Sequence, residues 1–196
     1  MANLTVAPYG WERTARAVEK VKDRLKRAVS ALRDANVPYA VVGGNAVAEW
    51  VGRADEAAVR NTRDVDILLR RADFEPAKAA LVAAGFIHCK IMEVDMFLDG
   101  EAGRAKDGVH VVFAGERLDP NNITPAPDVA ESEPAVEFQV IALPALVRMK
   151  LNAFRLKDRV HLVDMIDVGL VDQTWPANLP PELGKRLQEL LDNPNG

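Results

Sequence analysis

The sequence has little cysteine and no long hydrophobic run, and both absences exclude whole classes of protein. Cys89 is the single cysteine among 196 residues, so no disulfide can form within the chain. This agrees with the reducing environment of a cytoplasm. No apolar segment approaches the ~18 residues that a membrane-spanning helix needs. The first twenty residues carry five charged side chains and no apolar stretch, so we expect no signal peptide. We therefore predict a cytoplasmic protein that does not enter a membrane.

The common phosphate and zinc motifs are also missing. Neither G-x-x-x-x-G-K-[ST] nor G-x-G-x-x-G occurs, so the P-loop and Rossmann folds have no support. The three histidines are not spaced like the ligands of a zinc site; they are His88, His110 and His161. The formal net charge of −4 argues against a broad nucleic-acid surface, although it leaves room for a local basic site.

What is present predicts an α/β protein with a short mixed β-sheet flanked by helices and with helical elements at its C-terminus. A hydrophobic content of 48% is ordinary for a globular protein and supplies a core. Periodicity of 3.6 residues predicts helices, and short apolar or alternating runs predict strands. The helices are predicted at residues 11–35, 45–51, 74–84, 144–171 and 182–191, and the strands at 38–42, 62–69, 86–90, 91–98 and 109–113.

Proline content suggests how these elements are organised. Four prolines lie among polar residues in segment 119–135, which we interpret as a linker or a long surface loop. It separates a core at residues 1–118, which includes the N-terminal helix, from a mainly helical region at residues 136–196 that packs on this core.

Two short motifs, about twenty residues apart, point to phosphate chemistry. The first predicted strand ends in Gly43, Gly44 and Asn45, and a glycine pair lets the backbone approach a ligand closely. The next strand carries Asp64 and Asp66 at alternate positions, so both carboxylates lie on one face. They repel each other by roughly 2 to 3 kcal/mol at an effective dielectric constant near 20, and a bound cation removes that cost.

Each motif alone has a simpler interpretation. Two aspartates on an exposed strand face are common, and a glycine pair usually forms a tight turn after a strand. The combination is more informative than either motif alone. It is rare to find a strand that ends in a glycine pair and is followed by a helix, a loop and an acidic strand in that order.

With these motifs the chain resembles the nucleotidyltransferase superfamily that includes DNA polymerase beta, and within it the small bacterial AbiEii-like and antibiotic nucleotidylyltransferase-like members. The resemblance covers residues 36–115, with a looser similarity to residue 170 that includes Lys150 in segment 149–158. It implies that Gly43, Gly44 and Asn45 hold a triphosphate and that Asp64 and Asp66 bind Mg²⁺ or Mn²⁺. It also implies a third carboxylate on a later strand.

The third carboxylate is not evident in this sequence. His110 stands where members of the superfamily commonly have an aspartate, and imidazole suits Mn²⁺, Zn²⁺ or Fe²⁺ better than Mg²⁺. It could instead act as a general base, or be an ordinary hydrogen-bonded strand residue. Glu93 and Asp95 are alternative metal ligands if their strand lies next to the acidic pair.

The flanking residues have two interpretations each. Thr62 could orient Asp64 through its hydroxyl or be a strand threonine without a function. Arg60 could bind phosphate or form a plain salt bridge with the acidic pair, and Lys150 could reach a phosphate or be a solvated helix charge.

We predict an enzyme that transfers a nucleoside monophosphate from a nucleoside triphosphate to an acceptor. A nucleotide-binding or regulatory module without turnover is the alternative, and a toxin–antitoxin component that modifies RNA or protein is another. The acceptor, whether small molecule, RNA or protein, cannot be read from the sequence.

Overall fold

The computed structural model describes residues 10–194 as six α-helices and seven β-strands. The first nine of the twenty residues that predict the absence of a signal peptide lie outside these described residues. The helices are α1 Trp11–Asp34, α2 Gly43–Ala54, α3 Phe74–Ala83, α4 Leu143–Ala153, α5 Leu156–Asp167 and α6 Pro181–Asp192. The strands are β1 Ala40–Val42, β2 Val65–Leu69, β3 Phe86–Ile91, β4 Val94–Asp99, β5 Val109–Phe113, β6 Ser132–Pro134 and β7 Gln139–Ile141.

All seven strands form one mixed sheet in the order β3-β4-β5-β2-β1-β7-β6. Strand β2 pairs in antiparallel fashion with β1 and in parallel fashion with β5, so β2 lies in the middle of the sheet. The C-terminal region adds β7 to the other side of β1. The predicted α/β fold with a short mixed sheet and C-terminal helices is thereby confirmed.

Helices cover both faces of the sheet because its central strands have apolar side chains on both sides. On one face, α1 and α3 pack against Val65, Ile67 and Leu69 of β2. On the other face, α2 and the three C-terminal helices pack against Leu68 of β2 and Val112 of β5. Asp66 alternates with Ile67 and therefore lies on the same face as Leu68, at the end of the strand that the apolar core leaves free.

Three predicted segments have different boundaries in the structure. The predicted strand 91–98 begins in fact with a turn at Met92 and Glu93, both at positive φ, and β4 starts only at Val94. Segment 119–135 is not wholly loop, because it contains β6. The helical segment 144–171 is two helices, broken at Phe154, whose φ of 44° is left-handed and ends α4.

Within residues 10–194, no helix combines the length and the apolar character required to cross a bilayer.

Candidate functional site

Three neighbouring strands bring the predicted site residues into one row. Val42, the last residue of β1, pairs with Asp66 on β2, and Asp66 pairs with His110 on β5. Gly43 follows Val42 directly and begins α2. The row therefore runs from the start of a helix, through the acidic strand, to the histidine.

The glycine pair is packed directly against the acidic segment. Gly43 has a φ of +68°, and a Cβ atom on it would lie 1.9 Å from Oδ2 and 2.8 Å from Cβ of Asp66. A Cβ on Gly44 would lie 2.7 Å from Oγ1 of Thr62. Any larger residue at either position would displace the acidic segment, so the two sequence motifs form one structural unit.

Asp64, Asp66 and His110 form a compact group of potential metal ligands. One ligand atom from each residue lies within 4.8 Å of the other two. Nδ1 of His110 lies 3.4 Å from Oδ1 of Asp66 and 4.0 Å from Oδ2 of Asp64. All three side chains are partly exposed, so a ligand can reach them from solvent.

A backbone contact sets the orientation of the His110 ring. Nε2 lies 2.8 Å from the carbonyl oxygen of Ala105, and a carbonyl only accepts, so Nε2 carries a proton and donates it. Nδ1 is thereby directed to the two carboxylates. The hydrogen bond to Asp66 raises the pKa of His110 despite the opposing effect of burial, and the Ala105 carbonyl adds to this increase. A proton and a metal ion therefore compete for Nδ1.

Neighbouring side chains hold Asp64 in place. The Thr62 hydroxyl donates a 2.8 Å hydrogen bond to Oδ1 of Asp64, as predicted for Thr62. Although burial favours its neutral form, this bond, the peptide N–H of Asp64 and the charge of Lys157 keep the pKa of Asp64 below its ordinary value. Asn45 donates from Nδ2 to the carbonyl oxygen of Asp64 at 2.8 Å, so its side chain supports the loop that leads into the acidic strand.

The group has the chemical properties of a divalent-cation site. Two carboxylate oxygens and one imidazole nitrogen are suitable ligands for such a cation. The other ring nitrogen of His110, Nε2, donates to a backbone carbonyl, as is usual for metal-binding histidines. Two carboxylates at this separation repel by roughly 3 kcal/mol at an effective dielectric constant near 20, and a divalent cation would relieve that repulsion. The residues present therefore fit a bound metal ion.

A set of cationic side chains from the C-terminal helices lies beside the acidic group. Lys150 on α4 is only 6% exposed, and its Nζ has Asp158 as a partner at 3.4 Å. Burial lowers the pKa of Lys150, while the charges of Asp158 and Asp66 act in the opposite direction. Arg155 donates to Asp158 at 2.7 Å and also interacts electrostatically with the acidic pair. The similarity in segment 149–158 includes Arg155 and Lys157 as well as Lys150, but it predicts a phosphate contact for Lys150 alone.

The structure does not bring three other predicted residues to the acidic pair. Arg60 donates from Nε to both carboxylate oxygens of Asp164, at 2.7 and 2.8 Å, so it forms a salt bridge with α5. Glu93 lies in the exposed β3–β4 turn and pairs with Lys90. Asp95 is buried on the opposite face of the sheet from His110, where it contacts His88 at 2.8 Å. It lies there because Met96, its neighbour on β4, is the residue opposite His110.

Solved structures with the same architecture are known, although no protein-family model and no curated protein sequence matches this chain. An antigenic nucleotidyltransferase-like protein from Paracoccidioides brasiliensis is similar with a TM-score of 0.59 and 18% identity, over 91% of each chain. The antibiotic-resistance factor ANT(2'')-Ia, crystallised with adenylyl-2''-tobramycin, is similar with a TM-score of 0.51 and 17% identity, over 91% of this chain and 99% of that one. At such identities a likeness establishes the fold alone. The chain therefore has the fold of the nucleotidyltransferases.

Proposed function

We propose that this protein is a metal-dependent nucleotidyltransferase, which moves a nucleoside monophosphate from a nucleoside triphosphate to an acceptor. One observation carries the proposal: Asp64, Asp66 and His110 converge within 4.8 Å, and Asp66 packs against the glycine that begins α2. The proposed cation site at Asp66 is thus directly next to the proposed phosphate site at Gly43.

The start of α2 supplies the phosphate site. The first N–H groups of a helix have no partner within the helix, and the helix dipole adds positive potential at the same end. Gly43 and Gly44 have no side chain to keep a phosphate away from these N–H groups. We infer that they bind the β- and γ-phosphates of the nucleotide.

We infer that the cationic side chains of the C-terminal region bind the same phosphates. Lys150 is buried, and its 3.4 Å contact with Asp158 leaves the ammonium group only weakly bonded. A phosphate oxygen would give it a stronger charge-assisted hydrogen bond. Lys157, whose charge already acts on Asp64, would add positive potential at the mouth of the site.

The transfer step conserves atoms and electrons without any redox partner. The acceptor hydroxyl oxygen forms a bond to the α-phosphorus, and the bond from that phosphorus to the bridging oxygen breaks. Pyrophosphate leaves with the electron pair, and the hydroxyl proton passes to a base or to water. When bound, the cation neutralises negative charge on the transferring phosphoryl group.

The ligand set favours one metal over another. Mg²⁺ strongly prefers oxygen ligands, whereas Mn²⁺ also accepts imidazole nitrogen. Since His110 directs Nδ1 towards Asp64 and Asp66, we propose that Mn²⁺ binds more tightly than Mg²⁺ at this site.

A pyrophosphate-release assay tests the proposal. The purified protein is incubated with each of the four nucleoside triphosphates, Mg²⁺ or Mn²⁺, and a panel of small-molecule, RNA and protein acceptors. Asp64→Asn and Asp66→Asn should each lower the rate at least ~100-fold, as removal of an electrostatic stabiliser commonly does. Asp34→Asn, an exposed change at the end of α1, should leave the rate unchanged. Folded variants of Asp64 and Asp66 with full activity would refute the mechanism.

A binding module without turnover is the second candidate, and His110 is the observation that favours it. An imidazole that replaces a carboxylate leaves less negative charge to hold a divalent cation. Calorimetric binding of a nucleotide with no pyrophosphate release from any acceptor would support the module. The similarity to AbiEii-type members and a role in a toxin–antitoxin pair stay predictions, as does a cytoplasmic location.

A further inference from the structure

A basic groove of about 1030 Å³ lies between α1 and two loops, the one that leads into β2 and the one between β4 and β5. It is separate from the start of α2, which faces the other side of the acidic strand. Seven cationic residues line it, against three acidic residues. The groove is therefore positively charged, although the chain as a whole has a net charge of −4. The cationic residues are Arg13, Arg16, Lys20, Arg24, Arg27, Arg63 and Arg104.

Five of these residues form a straight row along α1. They are spaced by three or four residues, which places them on one face of the helix. At 1.5 Å per residue, the row from Arg13 to Arg27 extends over about 21 Å. A triphosphate is much shorter than this row, so the groove fits an extended chain of negative charges.

Part of this positive charge is not neutralised by the protein. Arg24 and Arg27 share Asp99, and Arg104 pairs with Asp107. Among residues 10–194, no carboxylate forms a salt bridge with Arg13, Lys20 or Arg63. The groove therefore retains cations that are available to an anionic ligand.

One end of the groove adjoins the segments that precede Asp64 and His110 in the sequence. Arg24 donates from Nη1 to the carbonyl oxygen of Arg63 at 3.0 Å, and Arg63 immediately precedes Asp64. On the other side, Arg104 and Asp107 flank Ala105, the residue whose carbonyl oxygen holds His110. A polymer lying along α1 would thus have one end beside Arg63, at the end of the sheet where β2 and β5 begin.

We propose that this groove binds the backbone of a single-stranded nucleic acid, and that the terminal hydroxyl of this strand is the acceptor. The inference rests on the proposed function. Phosphates repeat along such a strand and carry the charge that the row complements, and a strand end provides a hydroxyl. A planar membrane surface cannot enter the groove. No aromatic side chain is among the lining residues, so the groove has no surface on which bases can stack. We therefore expect it to contact phosphates and to bind strands largely independently of their nucleotide sequence.

Binding of a fluorescein-labelled 12-nucleotide strand, measured by anisotropy in EDTA, tests the groove without the metal site. The test variant is Arg16→Gln with Lys20→Gln, and the control is Lys22→Gln with Lys185→Gln. Both pairs lie on exposed helix positions and remove two positive charges. Arg16 loses only an exposed 3.5 Å contact with Glu12, which contributes little to stability.

The salt dependence gives the expected size of the effect. Each phosphate contact on a single strand contributes about 0.7 to the slope of log affinity against log salt concentration. The groove variant should therefore reduce this slope by about 1.4 and weaken binding about 25-fold at 0.1 M salt. The control variant should bind like the wild type. Equal slopes for the two variants would overturn the proposal, as would equally tight binding of a polyglutamate peptide of the same charge. RNA and DNA strands, tested in parallel, show whether the 2′-hydroxyl contributes.

A second measurement places the strand end and separates this inference from the proposed function. A fluorine label on the terminal nucleotide should be broadened by Mn²⁺ bound to the wild-type protein, and a label on the opposite end should not. If the strand binds in EDTA but neither label is broadened, the groove binds polyanions and the proposal that the strand end is the acceptor is refuted. Absence of Mn²⁺ binding together with normal strand binding would instead contradict the metal site.

Discussion

The substitution Gly43→Ala tests most sharply whether the glycine pair and the acidic pair form one unit. Gly43 begins α2 with a φ of +68°, and an added Cβ would lie 1.9 Å from Oδ2 and 2.8 Å from Cβ of Asp66. Rotation of the Asp66 side chain can move Oδ2 away. It cannot move the Cβ of Asp66, which the backbone of β2 fixes, so the strand or the helix start must shift.

The expected cost has two parts. An L-residue in the left-handed region loses about 1–2 kcal/mol relative to glycine. Overpacking against Asp66 adds about 1–3 kcal/mol. The total decrease in the free energy of unfolding is then about 2–5 kcal/mol. Displacement of Asp66 from Asp64 and His110 should also weaken divalent-cation binding about 10- to 100-fold, as losses of supporting contacts at metal sites commonly do.

Gly85→Ala is the matched control. Gly85 also has a positive φ, +88°, but no atom lies within 4 Å of its added Cβ. It should lose only the conformational part, about 1–2 kcal/mol, and bind Mn²⁺ like the wild type. Urea unfolding and Mn²⁺ titration by calorimetry measure both quantities. If the two variants lose the same stability and the same metal affinity, then the packing of Gly43 on Asp66 has no functional consequence.

Three further predictions concern single contacts. Lys150→Met should weaken binding of a non-hydrolysable nucleotide at least ~10-fold in calorimetry, because the ammonium group that we assign to phosphate is lost. Mn²⁺ affinity without nucleotide should not fall, because the lost positive charge acts on Asp66. Unaltered nucleotide affinity would contradict the role of Lys150. Thr62→Val should reduce Mn²⁺ affinity about 10-fold or more by removing the 2.8 Å hydrogen bond that orients Asp64, and wild-type affinity would show that this bond is not needed. Burial, helped by the charge of Lys150, lowers the pKa of His161 to about 4, so between pH 6.5 and 4 the unfolded chain takes up a proton that the folded protein does not. The free energy of unfolding should fall across that interval, by at most about 1.4 kcal/mol per pH unit for this group, and His161→Gln should flatten the fall in urea titrations; an unchanged slope would contradict this prediction.

The site's centre could be predicted from the sequence because it depends on local periodicity. Alternation along β2 is sufficient to place Asp64 and Asp66 on one face and Ile67 on the other, and the structure has this arrangement. His110 was predicted at the position of a missing carboxylate, and the pairing of β2 with β5 puts it beside Asp66.

The turn between β3 and β4 shows why other residues were misplaced. Met92 and Glu93 both have positive φ, but tight hairpin turns are usually recognised by glycine or asparagine, and neither is present. Without that signal the predicted strand began too early. Alternation therefore predicts Glu93 on a strand, whereas it lies in the exposed turn.

Contacts between distant segments were not predictable either. Arg60 finds Asp164 across 104 residues of sequence, and no local pattern indicates such a pair. The break between α4 and α5 lies at Phe154, a bulky residue in a conformation that usually requires glycine. That break is what lets Arg155 approach Asp158 and the acidic pair.

Pulsed electron paramagnetic resonance on the Mn²⁺-loaded protein tests the central claim most directly, because it detects nitrogen atoms bonded to the metal. The account predicts a single coordinated ¹⁴N signal in the wild type, lost in His110→Asp, and loss of tight Mn²⁺ binding in Asp64→Asn and Asp66→Asn. A wild-type Mn²⁺ spectrum without a coordinated ¹⁴N signal would contradict the account. A ¹⁴N signal that persists unchanged in His110→Asp would also contradict it.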